Sequence, residues 1–154
     1  MARSNPHFWR RQSRSLIWCN GCFDILHRGH IELFHFAKDL GDYLVVGVDT
    51  DKRVKELKGA TRPVNNLDDR VTVLEAIEDI DEVVCFGSDK ELEDMIKKYS
   101  PRYLVVGSDY RDKRVIGSEF AENVAFFSRM EGYSSSAYIN GKQNDEEKKS
   151  YHSG

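Results

Sequence analysis

Apolar residues along the chain fall into two alternating patterns, and the alternation is the first clue to architecture. Five short runs read as strands: Ser15 to Cys19, Tyr43 to Val48, Glu82 to Phe86, Tyr103 to Val106 and Asn123 to Phe127. Tyr43 to Val48 is apolar without a break, the composition of a strand covered on both faces of a parallel sheet. Between the runs the period changes to 3.6 residues. Leu33, Phe36, Ala37 and Leu40 share a helical face closed by Gly41, and Leu67 to Ile80 predicts a second helix capped by Asn66. Ser88 and Glu91 form an S-x-x-E capping box ahead of Leu92, Met95, Ile96 and Tyr99, a third amphipathic helix stopped by Pro101. Strands alternating with helices predict an α/β domain, a five-stranded parallel sheet with helices on both faces. In such sheets ligands bind beyond the carboxyl ends of the strands, where the strand order reverses. The loop after the first strand is therefore the place to look for chemistry.

The two ends lie outside this pattern. Residues 1–14 carry four arginines and no acid, and read as a basic arm without the apolar stretch of a secretory leader. Residues 141–154 lack an apolar period and read as a disordered polar tail, leaving 15–140 as one domain. At 154 residues, 40% hydrophobic and 32% charged, the chain is long enough for a self-sufficient core, and no run approaches a membrane span. A net charge of −3 offers no overall basic field for a nucleic acid. Three cysteines give no secreted disulfide framework, so a cytoplasmic setting is expected, with neither membrane nor nucleic acid as partner.

The loop after the first strand runs from Asn20 through Gly21, Cys22, Phe23, Asp24, Ile25, Leu26, His27, Arg28 and Gly29 to His30. Two histidines flank a glycine where a helix begins. A helix N-terminus favours phosphate through its N–H groups and partial charge, imidazoles there can donate to phosphate oxygens, and Gly29 admits a close backbone approach. The same stretch contains a possible zinc set, Cys19-x-x-Cys22 with His27-x-x-His30. Only four residues separate its pairs, against about twelve in a zinc finger, and Cys19 ends an apolar strand. No G-x-G-x-x-G, Walker A or G-x-S-x-G sequence is present.

The stretch G-C-F-D-x-x-H-x-G-H resembles the signature of the cytidylyltransferase-like nucleotidyltransferases, and the resemblance extends over about residues 15–139. Arg53-Val54, Leu57-Lys58-Gly59, Arg62-Pro63-Val64-Asn65 and Arg70 resemble the middle of the bacterial heptose-phosphate adenylyltransferase domain, as Val106-Gly107-Ser108-Asp109-Tyr110 resembles its G-x-D-[YW] turn. Arg129-Met130-Glu131-Gly132-Tyr133-Ser134-Ser135-Ser136 is similar to the R-T-x-G-I-S-T-T motif of glycerol-3-phosphate cytidylyltransferases. Val106 stands where the heptose branch usually has lysine.

The resemblance implies a Rossmann-like fold and transfer of a nucleoside monophosphate from a triphosphate to a phosphorylated small molecule, releasing pyrophosphate. Mg²⁺ is expected through the substrate phosphates, since the sequence shows no carboxylate cage, and a homodimer is expected. His27 and His30 would be catalytic together with Lys58. Gly21, Cys22, Phe23, Gly29, His30, Asp109, Arg129, Ser134, Ser135 and Ser136 would bind nucleotide; Asp24, Lys58, Arg62 and Arg70 would bind substrate. Several have plainer readings. Lys58 and Arg62 could be solvated charges, Arg70 a surface cation, Asp109 a turn cap and Ser134–Ser136 an ordinary turn. ATP with heptose 1-phosphate is the favoured pairing, CTP with a polyol phosphate the alternative. From another class, the fold could serve a nucleotide-binding module without turnover.

Overall fold

The computed structural model describes residues 15–128. Five strands, β1 (Leu16–Gly21), β2 (Tyr43–Asp49), β3 (Glu82–Phe86), β4 (Tyr103–Gly107) and β5 (Asn123–Phe127), form one sheet in the order β3-β2-β1-β4-β5, with every pairing parallel. The helices are α1 (Arg28–Asp39), α2 (Asp51–Lys58), α3 (Leu67–Glu75) and α4 (Asp89–Tyr99), with 3₁₀ turns at Ser108–Tyr110 and Ser118–Phe120. The chain moves outward from β1 to β3, then returns to pair β4 on β1's other side. The carboxyl ends of β1 and β4 therefore flank the point of reversal.

Alternate residues of the unbroken apolar strands feed two cores. Ile17, Cys19, Leu44, Val46 and Val48 pack on one face with Phe34 and Ala37 of α1 and Leu74 of α3. Leu16, Trp18, Tyr43 and Val45 pack on the other with Leu92 and Ile96 of α4. Each large side chain removed from water in this way contributes about 1.5–3 kcal/mol. The expected α/β domain with helices on both faces is the observed one.

The differences lie at boundaries and in one helix. β1 runs on to Gly21 because Asn20 and Gly21 stay in register with Gly47 and Val48 of β2. Helix α3 ends at Glu75 rather than Ile80; Ile77 N bonds Leu74 O and Ile80 N bonds Ile77 O, a tightened exit that delivers the chain to β3. Gly41 does follow α1, but its main service is space, since a Cβ there would sit 2.7 Å from Ser15 O. In α4 the Ser88 side chain caps Glu91 N as expected, while the Glu91 carboxylate reaches back to Gly87 N rather than to Ser88 N. Helix α2 was not anticipated. Only Val54 of its eight residues is buried, so it shows almost no apolar period, although Thr50 caps Arg53 N and Gly59 follows its end.

Candidate active site

The loop leaving β1 is built around a bent backbone. Phe23 adopts φ 49°, a left-handed conformation that a bulky residue takes only when its surroundings compel it. Its ring turns back over Gly21, where an added Cβ would meet Phe23 Cζ at 3.1 Å. The ring then packs on Phe34, with centroids 5.4 Å apart, and presents an edge contact to His30 at 5.6 Å.

His27 is the N-cap of α1. Its Nδ1 accepts from Gly29 N at 3.0 Å, while His30 Nδ1 accepts from His27 N at 3.2 Å. The two rings lie 3.9 Å apart, centroid to centroid. This is a capping box made of two imidazoles, with consequences for chemistry. An Nδ1 that accepts cannot carry a proton, so each neutral ring must carry it on Nε2. Accepting at Nδ1 also polarises the ring, making Nε2–H a stronger donor. The expectation of bare helix N–H groups is therefore amended: Gly29 N and His27 N donate to imidazoles. No acid occupies the first turn of α1, whereas α2, α3 and α4 each have at least one.

Across from this loop stands the segment joining α2 to α3, which contains a cis Arg62–Pro63 bond. Asp24 is buried, and its carboxylate accepts from Val64 N (2.7 Å), Asn65 N (2.8 Å) and Arg62 Nε (3.3 Å). Asn65 Nδ2 returns a bond to Asp24 O at 2.7 Å. Asp24 thus organises the loop, its oxygens already taken by protein donors. Arg62 is buried rather than solvated, and its Nη2 has no hydrogen-bond partner.

Arg70 departs from both of its sequence readings. It is only 2% exposed and bonds Asn65 O, Cys22 O, Asp49 O and the Asp51 carboxylate at 2.6–2.9 Å. A guanidinium so occupied is neither a surface cation nor placed to touch a ligand. Lys58, the last residue of α2, is exposed. Burial pushes the Cys22 thiol up, with Lys58 and Arg70 pulling it the other way. Burial likewise pushes the Asp49 carboxyl up, with Arg53, Arg70 and Lys58 pulling it the other way. Sequence reasoning missed Asn65 as a lashing residue and Asp51 as Arg70's counter-ion. It also missed the chain from Asp49 through Arg53 to Asp89, with bonds of 2.7 and 2.6 Å.

Asp109 lies exposed in the 3₁₀ turn after β4, on the other side of the reversal point. Arg129 and Ser134, Ser135 and Ser136 fall outside the described residues, as do both terminal segments. Cys19 points into the core, where burial pushes its thiol up to about 12, and among the described residues no three His, Cys, Asp or Glu side chains are grouped to hold a metal. No described helix is long and apolar enough to cross a membrane.

Several known proteins are similar to this one. The Bifunctional protein HldE of Campylobacter fetus subsp. fetus (strain 82-40) is 47% identical over 130 residues, 84% of this chain and 28% of that protein. Its namesake in Helicobacter hepaticus (strain ATCC 51449 / 3B1) is 45% identical over 129 residues, 84% of this chain and 26% of that one. The chain thus spans little more than a quarter of the length of these relatives. Among solved structures, the lipopolysaccharide core biosynthesis protein from Thermoplasma volcanium GSS1 superposes with a TM-score of 0.63 at 22% identity, covering 75% of this chain and 98% of that one. Pantoate-beta-alanine ligase from Francisella tularensis gives 0.55 at 17% identity, covering 92% and 71%. Both share the fold. The Cytidylyltransferase-like family model matches residues 18–141, a span that contains the histidine loop, the Asp24 clamp, β2 to β5 and all of β1 after Ile17, and the chain belongs to that family.

Proposed function

We propose that the chain transfers a nucleoside monophosphate from a nucleoside triphosphate to a sugar phosphate, with ATP and heptose 1-phosphate as the pairing, and releases pyrophosphate. The observation that carries this reading is the paired-imidazole cap at the point where the strand order reverses. The acceptor's phosphate oxygen attacks the α-phosphorus in line and no covalent intermediate forms. His27 and His30 donate from Nε2 to the oxygens on which charge gathers as phosphorus becomes five-coordinate. Lys58 supplies a mobile charge to phosphate already present in the ground state. Arg129 and Ser134–Ser136 are proposed to hold the triphosphate.

The residues present suit a phosphate-borne Mg²⁺ rather than a protein-held one: Asp24, the buried acid of the loop, has both oxygens occupied. When bound, the ion neutralises phosphate charge, and the chain's own residues need only bind and orient the reactants. The three free thiols, Cys19, Cys22 and Cys85, suit a reducing cytoplasmic compartment.

A second pairing, CTP with a polyol phosphate, draws support from Val106 near the end of β4, an isopropyl group where an ammonium would hold an anion differently. Pyrophosphate release measured with ATP and heptose 1-phosphate, and with CTP and glycerol 3-phosphate, at matched concentrations tests the assignment. Preference for the second pair changes the substrates and leaves nucleotidyl transfer standing. Triphosphate binding without pyrophosphate from any pairing would make the chain a sensing module instead.

A further inference from the structure

We infer that Arg70 is a positioning residue for this transfer: its guanidinium, out of reach of substrate, fixes the two walls of the site relative to each other. The inference rests on the nucleotidyl-transfer reading above. Its four bonds end on three segments, the loop just before its own helix and two that lie 19 to 48 residues away. Cys22 O belongs to the loop that leads to the histidines, and Asn65 O belongs to the loop that holds Arg62. Asp49 O and the Asp51 carboxylate mark the end of β2 and the start of α2, the helix that ends in Lys58. Three of the four acceptors are carbonyl oxygens at the end of a strand or in a turn, and the guanidinium supplies each with a donor.

A planar fork of five donors meets acceptors from several sides at once, whereas the three donors of a lysine ammonium radiate from a single point. Asp24 performs the complementary task with the opposite charge, accepting from Val64 N, Asn65 N and Arg62 Nε. Residues 62–65 are therefore gripped by a buried cation through Asn65 O and by a buried anion through its N–H groups. Because the same guanidinium holds Cys22 O, displacing it shifts the histidine wall and the Arg62 wall together. In-line attack depends on placement at the ångström level, so such a shift appears in turnover before it appears in affinity.

Arg70→Lys tests this, with wild type assayed on whichever triphosphate and acceptor it turns over. In the variant, kcat should fall by about ten- to a hundredfold. KM for each substrate should stay within about threefold. Without substrate, amide exchange at Val64 and Asn65 should quicken by about tenfold or more, with Val46 in the central sheet unchanged. Asp51→Ala, which removes one of the four acceptors that fix the guanidinium, serves if Arg70→Lys does not fold; its kcat should fall in the same direction with KM held. A raised KM with intact kcat in Arg70→Lys would place Arg70 on the substrate and overturn the inference. Wild-type kcat in Asp51→Ala would overturn it where the lysine variant is unfolded, and so would unchanged exchange at Val64 and Asn65 in a folded one. If wild type releases no pyrophosphate with any pairing, the functional reading fails, and the exchange measurement still decides whether Arg70 grips the two loops.

Discussion

His27 and His30 cap each other's helix turn: the Nδ1 of each accepts a backbone N–H, Gly29 N for the first and His27 N for the second. One residue therefore carries two jobs, ending a helix and donating to substrate, and substitution can separate them. Asparagine is among the best N-caps and has no imidazole donor. His27→Asn should keep thermal stability within about 0.5 kcal/mol. Its kcat should nonetheless drop by about 10²–10³-fold, the usual cost of losing a transition-state donor. Thermal melts beside steady-state kinetics check this, and an active His27→Asn enzyme would reduce the ring to a cap.

Lys58 and Arg62 should respond differently to alanine. Lys58 is exposed, so Lys58→Ala should raise KM and leave stability within about 0.5 kcal/mol. Arg62→Ala removes the guanidinium paired with buried Asp24, which still keeps two N–H donors. Its cost should be about 2–3 kcal/mol, below the 3–5 of a fully stranded charge. Chemical denaturation of both variants reads the contrast, and equal stabilities would contradict the buried-pair geometry.

Thiol chemistry offers a check on the fold. Burial raises Cys19 to about 12 and pushes Cys22 and Cys85 upward as well. The reactive thiolate is therefore scarce at pH 8 in the folded chain and appears on unfolding. Iodoacetamide followed by peptide mass mapping should find Cys19 unmodified in native protein and all three cysteines modified in denaturant. Rapid native labelling of Cys19 would refute its place in the core.

The sheet was legible in the sequence because its signal is local: unbroken apolar runs such as Tyr43 to Val48 announce a strand without knowledge of their neighbours. The histidine loop was legible for a related reason, since its chemistry is packed into four consecutive residues after a strand. Helix α2 escaped because seven of its eight residues are not buried, leaving no period to read. The wiring of Asp24, Arg62 and Arg70 was out of reach for a different reason. Arg62 and Asp24 meet across 38 residues, and Arg70 and Cys22 O across 48. A charged side chain in a loop or at a helix start looks the same from sequence whether water or a distant carbonyl receives it. Burial turned Arg70 from an expected ligand contact into a brace.

The strand order carries one more consequence. β1 is the middle of five strands, paired on both sides, and among the described residues the edges of the sheet belong to β3 and β5. An edge strand has fewer bonds to open, so β3 and β5 should fray before the strand that leads to the histidine loop. The histidine loop is thus attached to the strand that should come apart last. In a denaturant series, inactivation should then coincide with the global loss of sheet rather than run ahead of it, which makes catalytic activity a faithful reporter of the cooperative folded state.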